Sequence, residues 1–496
     1  MSRTLRSRTG IGAGAMIALC LATLSAAAQE RPVTTGANRA DTVKLRVSGR
    51  INMDYVQRDA ALMAIPNMDT TGGADNNGVN TVEGEVTIRF DAELTEKISA
   101  VVEIGRLRVD EGSGGVIPFL GQFNDVDNDI TLREAHIKVT DFLSPGVSMK
   151  MGILDWSFDT RGRGSALAFD PHRSQLLTRN MINAQDSTGA MAGRYGSDEA
   201  AELEPVGFHL TYASGQVTVE LVVMPVVSEQ GVVSEDEALY AVDFWYNLEQ
   251  QVGKGSRVGA ILAIHNVSDD GGVAVTGSGD QLITFGAGLN LAFQGGIEVF
   301  GEFYLQSGTV GRDATAAANE VDAAGRAFML GGRWTGAGEG KMWVELSFTM
   351  LSGDDDAADE EVNSFLSYES INDFLIIEDM YFGLDVDTNY TAFKIMGGMS
   401  FSMAGGKDNV DLQIGVGFFT TSEDVVKTND AGEEDDALGT EIDVKLKYHL
   451  SKQASLGLNF GILTGSDLLE DMGGGSNDDA ADDSAWLLSL GFDVRY

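Results

Sequence analysis

The chain is short of cysteine, of proline, of positive charge and of long apolar runs. It has one cysteine, Cys20, and seven prolines in 496 residues. Cys20 falls in a leader that is expected to be removed, so disulfides and thiolate chemistry are excluded from the mature chain. Few prolines beside 61 glycines fit many strands and turns better than disorder. Beyond the N-terminal leader no stretch approaches the ~18 consecutive apolar residues of a membrane-crossing helix, which excludes a helical membrane protein. Lys and Arg number 34 against 75 Asp and Glu, a formal net charge of −41. Nucleic acid is excluded as a partner at that charge, because phosphate neutralisation needs a basic surface. Hydrophobic content is an ordinary 43%, so the apolar residues must be spread in short pieces.

The first residues set the compartment. Arg3, Arg6 and Arg8 precede an apolar run from Ile11 to Leu24, and Ala26, Ala27 and Ala28 stand before Gln29. That is the basic region, apolar core and small-residue cleavage site of a secretory signal peptide. Residues 1–28 are read as the signal peptide, 29–41 as a short periplasmic N-terminal segment, and 42–496 as one domain.

What is abundant is period-two alternation. From Val43 to Tyr55 the odd positions are Val, Leu, Val, Gly, Ile, Met and Tyr, and the even ones are Lys44, Arg46, Ser48, Arg50, Asn52 and Asp54. The segment from Val82 to Leu94 repeats the design with Glu83, Glu85, Thr87, Arg89, Asp91 and Glu93 on its polar face. A helix would smear both sets around its surface, so strands are expected. The basic ladder of the first and the acidic ladder of the second are placed to pair. At the far end, Trp486, Leu488, Leu490, Phe492, Val494 and Tyr496 form an apolar face with an aromatic at each end, opposite Ser489, Gly491, Asp493 and Arg495.

Eighteen such segments can be marked, at 42–58, 80–94, 97–109, 129–141, 146–157, 205–213, 216–227, 238–249, 255–268, 280–293, 296–308, 325–335, 340–352, 389–403, 409–421, 438–450, 453–464 and 483–496. Connections after the even-numbered segments are short, and those after the odd-numbered ones are generally longer. Short turns at one end, long loops at the other and an even strand count are the signature of a transmembrane β-barrel. The expected fold is therefore all-β: an antiparallel up-and-down barrel of about 18 strands, with periplasmic turns and extracellular loops. The last segment should pair with the first and close the sheet, leaving no edge, with Tyr496 at the periplasmic rim and Asp493 near Lys44, Arg46 and Arg50.

The face assignments give a candidate pore lining. Its basic members are Lys44, Arg46, Arg50, Arg89, His136, Lys138, Lys150, Lys445 and Lys447. Its acidic members are Glu83, Glu85, Asp91, Glu93, Glu103, Glu134, Glu220, Glu298, Glu302, Glu345, Asp411, Glu441 and Asp443. Such charges are costly in lipid and acceptable in a water-filled lumen. Two loops stand out. Residues 159–204 carry Arg161, Arg163, Arg173 and Arg179 among apolar side chains; folding inward as a constriction and lying on the outer rim as a lid are both open. Residues 354–387 hold twelve Asp or Glu and no Lys or Arg, with an apolar centre from Phe365 to Phe382.

Nothing in the pattern points to an enzyme. His136, His172, His209, His265 and His449 show no metal-ligand spacing, and the glycine-rich pieces lack the lysine of a phosphate-binding loop. No cofactor is expected, with Ca²⁺ at acidic loops as the one candidate. Asp125, Asp127 and Asp129 alternate and could wrap one Ca²⁺, but the glycine and distal glutamate of an EF-hand loop are missing; Asp354, Asp355 and Asp356 with Asp359, Glu360 and Glu361 are likewise a candidate divalent site. A solvated acidic face that attracts counter-ions is the favoured account of both.

The C-terminal strand ending in an aromatic resembles those of bacterial outer-membrane β-barrels, which implies recognition by the barrel-assembly machinery. Two stretches resemble the alginate-export family of such barrels. One is Thr131 to Val139 followed by Gly146 to Gly152; the other is Val344 to Asp356, then Tyr381 to Asp385. The resemblance implies an 18-stranded single-chain barrel and a conduit for an anionic polysaccharide. That family's conduit is strongly basic inside, whereas the ladders here are mixed and lean acidic. The expected function is therefore a porin in a Gram-negative-type outer membrane, passing small solutes or ions with a cation preference set by its acidic mouth. Polysaccharide export is one alternative. A structural rim protein binding Ca²⁺ and lipopolysaccharide is another.

Overall fold

The computed structural model describes residues 31–33, 43–58, 79–105, 132–154, 156–161, 206–226, 237–267, 280–312, 320–337, 340–354, 361–365, 373–378, 386, 388–402, 410–426, 434–466 and 484–496. Alternating sequence in these residues becomes one antiparallel sheet. Its strands are β1 (Arg31–Val33), β2 (Val43–Arg58), β3 (Val79–Glu93), β4 (Ile98–Gly105), β5 (Leu132–Thr140), β6 (Val147–Ile153) and β7 (Val206–Ser214). The order continues with β8 (Val217–Val226), β9 (Glu237–Asn247), β10 (Arg257–Val267), β11 (Asp280–Ala292), β12 (Ile297–Arg312), β13 (Glu320–Ala323) and β14 (Arg326–Thr335). It ends with β15 (Trp343–Leu351), β16 (Glu361–Val362), β17 (Tyr390–Phe401), β18 (Val410–Val426), β19 (Glu434–His449), β20 (Ala454–Thr464) and β21 (Ala485–Arg495).

Three of these are short additions, and the other eighteen are the eighteen alternating segments of the sequence. Each pairs with its neighbour in the chain, and β2 pairs with β21 from Arg50↔Arg495 to Arg58↔Leu487. The barrel is thus closed, as the pattern predicts. The additions sit at the ends: β1 pairs with residues 43–45 of β2, while β13, just before β14, pairs antiparallel with the end of β12 and in parallel with β16.

Alternation sorts the side chains. Tyr240, Val242 and Phe244 on β9, Phe303 and Leu305 on β12, Val344, Leu346 and Phe348 on β15, and Leu456, Leu458 and Phe460 on β20 are all exposed. On the last strand Leu490 is 52% exposed, while Leu487 on the opposite face is 1% exposed. An apolar belt outside and charge inside is the reverse of a soluble protein, and it is what a lipid-facing barrel requires. Among the described residues no helix is long and apolar enough to cross a membrane.

The ladders of β2 and β3 face one another as expected. Lys44↔Glu93 and Arg46↔Asp91 are register partners, and the Lys44 ammonium lies 2.9 Å from Glu93. At the closure Arg50 reaches Asp493 at 3.0 Å. Tyr496 exchanges both backbone hydrogen bonds with Gly49, at 3.0 Å each. A Cβ at Gly49 would stand 2.3 Å from the Tyr496 hydroxyl, so the glycine makes room for the ring.

Candidate functional site

Two loop segments turn inward and lie against the lumen wall as a second layer. The first leaves β6 at Leu154 and includes residues 156–161. Leu154, Trp156, Phe158 and Thr160 are buried. The Trp156 indole donates to Asp243 of β9 at 3.1 Å. Phe158 stacks on Trp245 with ring centroids 4.5 Å apart and meets Tyr304 edge-on at 6.2 Å. Thr160 donates from both its N–H and its hydroxyl to Glu302 of β12, at 3.3 and 2.6 Å. Arg257 of β10 donates to the carbonyls of Asp159 and Thr160. Arg161 then forms a fork on Glu345 of β15, at 2.9 and 2.7 Å, with its guanidinium carbon 3.7 Å from the centroid of the Phe300 ring.

The wall is shaped to receive this segment. A Cβ at Gly288 would stand 2.0 Å from Thr160 Cγ2, so no other residue fits there without moving the layer. Between inward, as a constriction, and outward, as a lid, the described part of this loop goes inward. Arg163, Arg173 and Arg179 lie outside the described residues.

The second segment is 373–378, from the acidic loop. Its successive N–H groups are taken up by wall carboxylates: Leu375 donates to Asp443 at 2.9 Å, and Ile376 and Ile377 to Glu441 at 2.7 and 2.9 Å. Hydrogen bonds of this kind contribute about 0.5–1.5 kcal/mol each. Phe374 packs edge-on against Phe419 at 5.2 Å, over Gly415 and Gly417, where a Cβ would press on its ring. Lys394 of β17, 1% exposed at its side chain, is flanked by Asp373 at 3.1 Å and Glu378 at 2.5 Å. Tyr390 donates its hydroxyl to Glu378, and Lys445 to the Asp373 carbonyl.

The two loop carboxyls are pushed in opposite directions. Burial raises Glu378 above its ordinary range, against the pull of Lys394. At Asp373 burial acts the same way but is outweighed by the charges and hydrogen bond of Lys394, then by Lys445 and Arg161, and the carboxyl is held below its usual range. The charge of Arg161 therefore reaches across from the first segment to the second.

Together the segments line the wall from β7 round to β20, where Leu375 comes against Gly461. This changes the meaning of several predicted pore residues. Glu302, Glu345, Glu441 and Asp443 are on the lumen face as expected, but all are buried under the inner layer and serve as its anchors. They do not front the passage. Glu298 is also buried, 4.0 Å from Arg161, and Glu220 sits 3.4 Å from His209.

The arc from β21 through β2 to β6 carries no described inner segment. Here Lys44, Arg46, Glu93 and Lys138 are exposed, and Arg50, Arg89, Asp91, Glu103 and Lys150 are partly so. Arg89 bridges Asp91 at 3.0 Å, Glu103 at 3.1 Å and Glu134, and Glu134 lies 3.1 Å from His136. Nearer the periplasmic turns, His449 meets Asp411 at 2.7 Å, and Lys447 is Asp411's register partner. The side chains of Glu83 and Glu85 lie outside the described residues.

Among the described residues no group of three or more His, Cys, Asp or Glu is placed to hold a metal ion. Asp125, Asp127, Asp129, Asp355 and Asp356 lie outside them, and Asp354 is described at the end of β15. Asp243, Arg257, Arg333 and Lys394 carry much of the site and were not among the predicted lining residues. Each is a charge on the inner face of an otherwise mostly apolar strand, which period two makes readable.

No family model matches the chain, and no curated protein matches it; the alginate-export resemblance finds no support. Among solved structures the chain is similar to OpdL of Pseudomonas aeruginosa, at 13% identity and a TM-score of 0.49, covering 91% of this chain and 98% of that one. It is similar to OccK9 (OpdG) of the same organism at 13% identity and a TM-score of 0.47, with 91% and 98% covered. OccAB2 of Acinetobacter baumannii follows at 11% and 0.49, again with 91% and 98% covered. Likenesses of this size carry no substrate or residue role to this chain. By its own closed sheet and sorted faces, the protein is an eighteen-stranded antiparallel barrel.

Proposed function

We propose that the protein is an outer-membrane channel for passive passage of small solutes or ions, with a preference for cations. The observation that carries the reading is the sorted wall. An apolar belt faces out, charges face in, and among the described residues an inner layer lies along the wall from β7 to β20. A wall of eighteen strands is wide enough to enclose an aqueous channel rather than a packed core. An exporter of bulky polymer would be poorly served by two buried, tightly anchored segments across its bore.

The cation preference rests on charge placement. The loop from residue 354 to 387 carries twelve acidic and no basic residues; Asp373 and Glu378 are taken up by Lys394, and an excess of the remaining acids at a mouth concentrates positive ions. The inward Arg161 does not oppose this, because its side chain is buried and lies between the carboxylates of Glu345 and Glu298. Planar-bilayer recordings on the purified, folded protein test both parts. Discrete conductance steps are expected, with a reversal potential of cation-selective sign across a salt gradient. Folded protein that never conducts would overturn the channel, and a reversal of the opposite sign would overturn the preference.

A further inference from the structure

The two inner segments come from loops about two hundred residues apart, yet their anchors adjoin. Glu345, which holds Arg161, pairs across β15–β17 with Met396, and Ser347 pairs with Lys394, which holds Asp373 and Glu378. The end of one segment and the start of the other thus sit two residues apart on neighbouring strands. Resting on the channel reading, we propose that Arg161 is a positioning residue that ties the two segments into one lining and so sets the width of the passage without filtering ions.

Four observations carry this. First, the Arg161 side chain is 8% exposed, so it is poorly placed to meet a passing ion. Second, its charge is used: two hydrogen bonds go to Glu345, and the face of the guanidinium lies on Phe300. Third, Glu345 is held from behind by Arg333 at 3.1 Å, and Arg333 in turn lies 3.8 Å over Trp343. The fork therefore closes on a fixed post. Fourth, the Arg161 anchor Glu345 and the Asp373 partner Lys394 stand on the same inner face of adjoining strands, one inward position apart, and the charge of Arg161 is the least of the influences that hold Asp373 below its usual range.

A planar guanidinium forked on one carboxylate and stacked on an aromatic ring is a job that lysine does poorly. A filter would need only the charge. The proposal therefore separates shape from sign, and the two have different electrical readouts. Conductance follows the free cross-section, while the reversal potential follows the charge that ions meet.

The test is a double-substitution cycle in planar bilayers with the full-length protein, reading conductance and reversal potential. The variants are Arg161→Met, Asp373→Asn, the pair together, and Arg161→Lys. Heat-modified mobility on a gel establishes that each barrel is folded. Arg161→Met is expected to raise conductance roughly 1.5–2-fold with an unchanged reversal potential, and Asp373→Asn to raise it as well. The double variant is expected to exceed the larger single effect by little, because contacting groups in one network are not additive. Arg161→Lys, which keeps the charge, is expected to fall between wild type and Arg161→Met, and it carries the test should Arg161→Met fail to fold. Fully additive effects would overturn the tie. So would a shifted reversal potential at unchanged conductance in Arg161→Met, or a wild-type conductance in Arg161→Lys. A wild-type barrel that is folded and silent would overturn the channel reading itself, and the tie with it.

Discussion

The lumen face is built in two ways. From β7 to β20 it carries gaps and buried carboxylates: Gly207, Gly288, Gly415, Gly417 and Gly461 leave room, while Glu302, Glu345, Glu441 and Asp443 hold the layer that fills it. From β21 through β6 it carries opposite charges in cross-strand partnership, Lys44 with Glu93, Arg50 with Asp493, and Arg89 with Glu103 and Glu134. A glutamate pointing inward therefore has two different jobs in one barrel. In the first arc it captures backbone N–H groups of a loop. In the second it balances a cation of another strand, at an exposed position for Glu93 and a buried one for Glu134. Charge counted by strand face alone does not distinguish them, and the acidic lean of the ladders is largely anchor.

Five substitutions would break or sharpen that contrast. The largest effect is expected from Lys394→Met, which leaves Glu378 buried without its cation. Breaking a buried pair this way costs about 3–5 kcal/mol, and segment 373–378 should leave the wall. A lower temperature of heat modification and a higher conductance are the readouts. Glu441→Ala comes next, because the Ile376 and Ile377 N–H groups lose their acceptor; unsatisfied buried groups cost about 1–3 kcal/mol each. Its conductance should rise in the same direction, less far. Gly288→Val then probes the fit of the first segment, since its Cβ collides with Thr160. Overpacking of this kind costs about 1–3 kcal/mol, and protease sensitivity of the loop in folded protein should increase.

On the β21–β6 arc the prediction changes kind. Lys138→Glu should leave thermal stability and conductance close to wild type and move the reversal potential toward stronger cation preference, because Lys138 is exposed and anchors no described loop segment. An equal loss of stability there and on the lined arc would erase the distinction between the two walls. The smallest effect is expected at a turn. Asp141 is held below its ordinary range by its hydrogen bond to Lys97, then by the Gly146 N–H and the charge of Lys97. A lowered carboxyl stabilises the fold above the ordinary aspartate range, and that contribution is lost as pH falls through the lowered value. Asp141→Asn should therefore melt marginally below wild type at neutral pH and coincide with it in strong acid.

Much of the barrel is legible before any coordinates. Alternation fixes the face of every strand, and Leu487 and Leu490 fall on opposite sides as the pattern of the last segment requires. The parity of loop lengths separates turns from loops, and the closure follows, down to Arg50 with Asp493. What alternation cannot see is a second layer. Whether Trp156, Phe158 or Phe374 lies against the lumen wall depends on contacts with distant strands, at Asp243, Tyr304 and Phe419, and no local period records them. The three short strands are invisible for the same reason, since each exists only through its partner. Lys394 was readable and was passed over: it is the one basic side chain on an inner face otherwise made of Tyr390, Ala392 and Met396.

The gaps beneath the inner layer have a consequence for how such a channel can change. Gly288 and Gly415 lie directly beneath Thr160 and Phe374, so the shape of each lining segment is written twice, once in the loop and once as a mould in the wall. A loop moved alone into another barrel of the same strand number would find side chains where these hollows are and would not seat. Pore width in this architecture is inherited as a matched set, loop and hollow together.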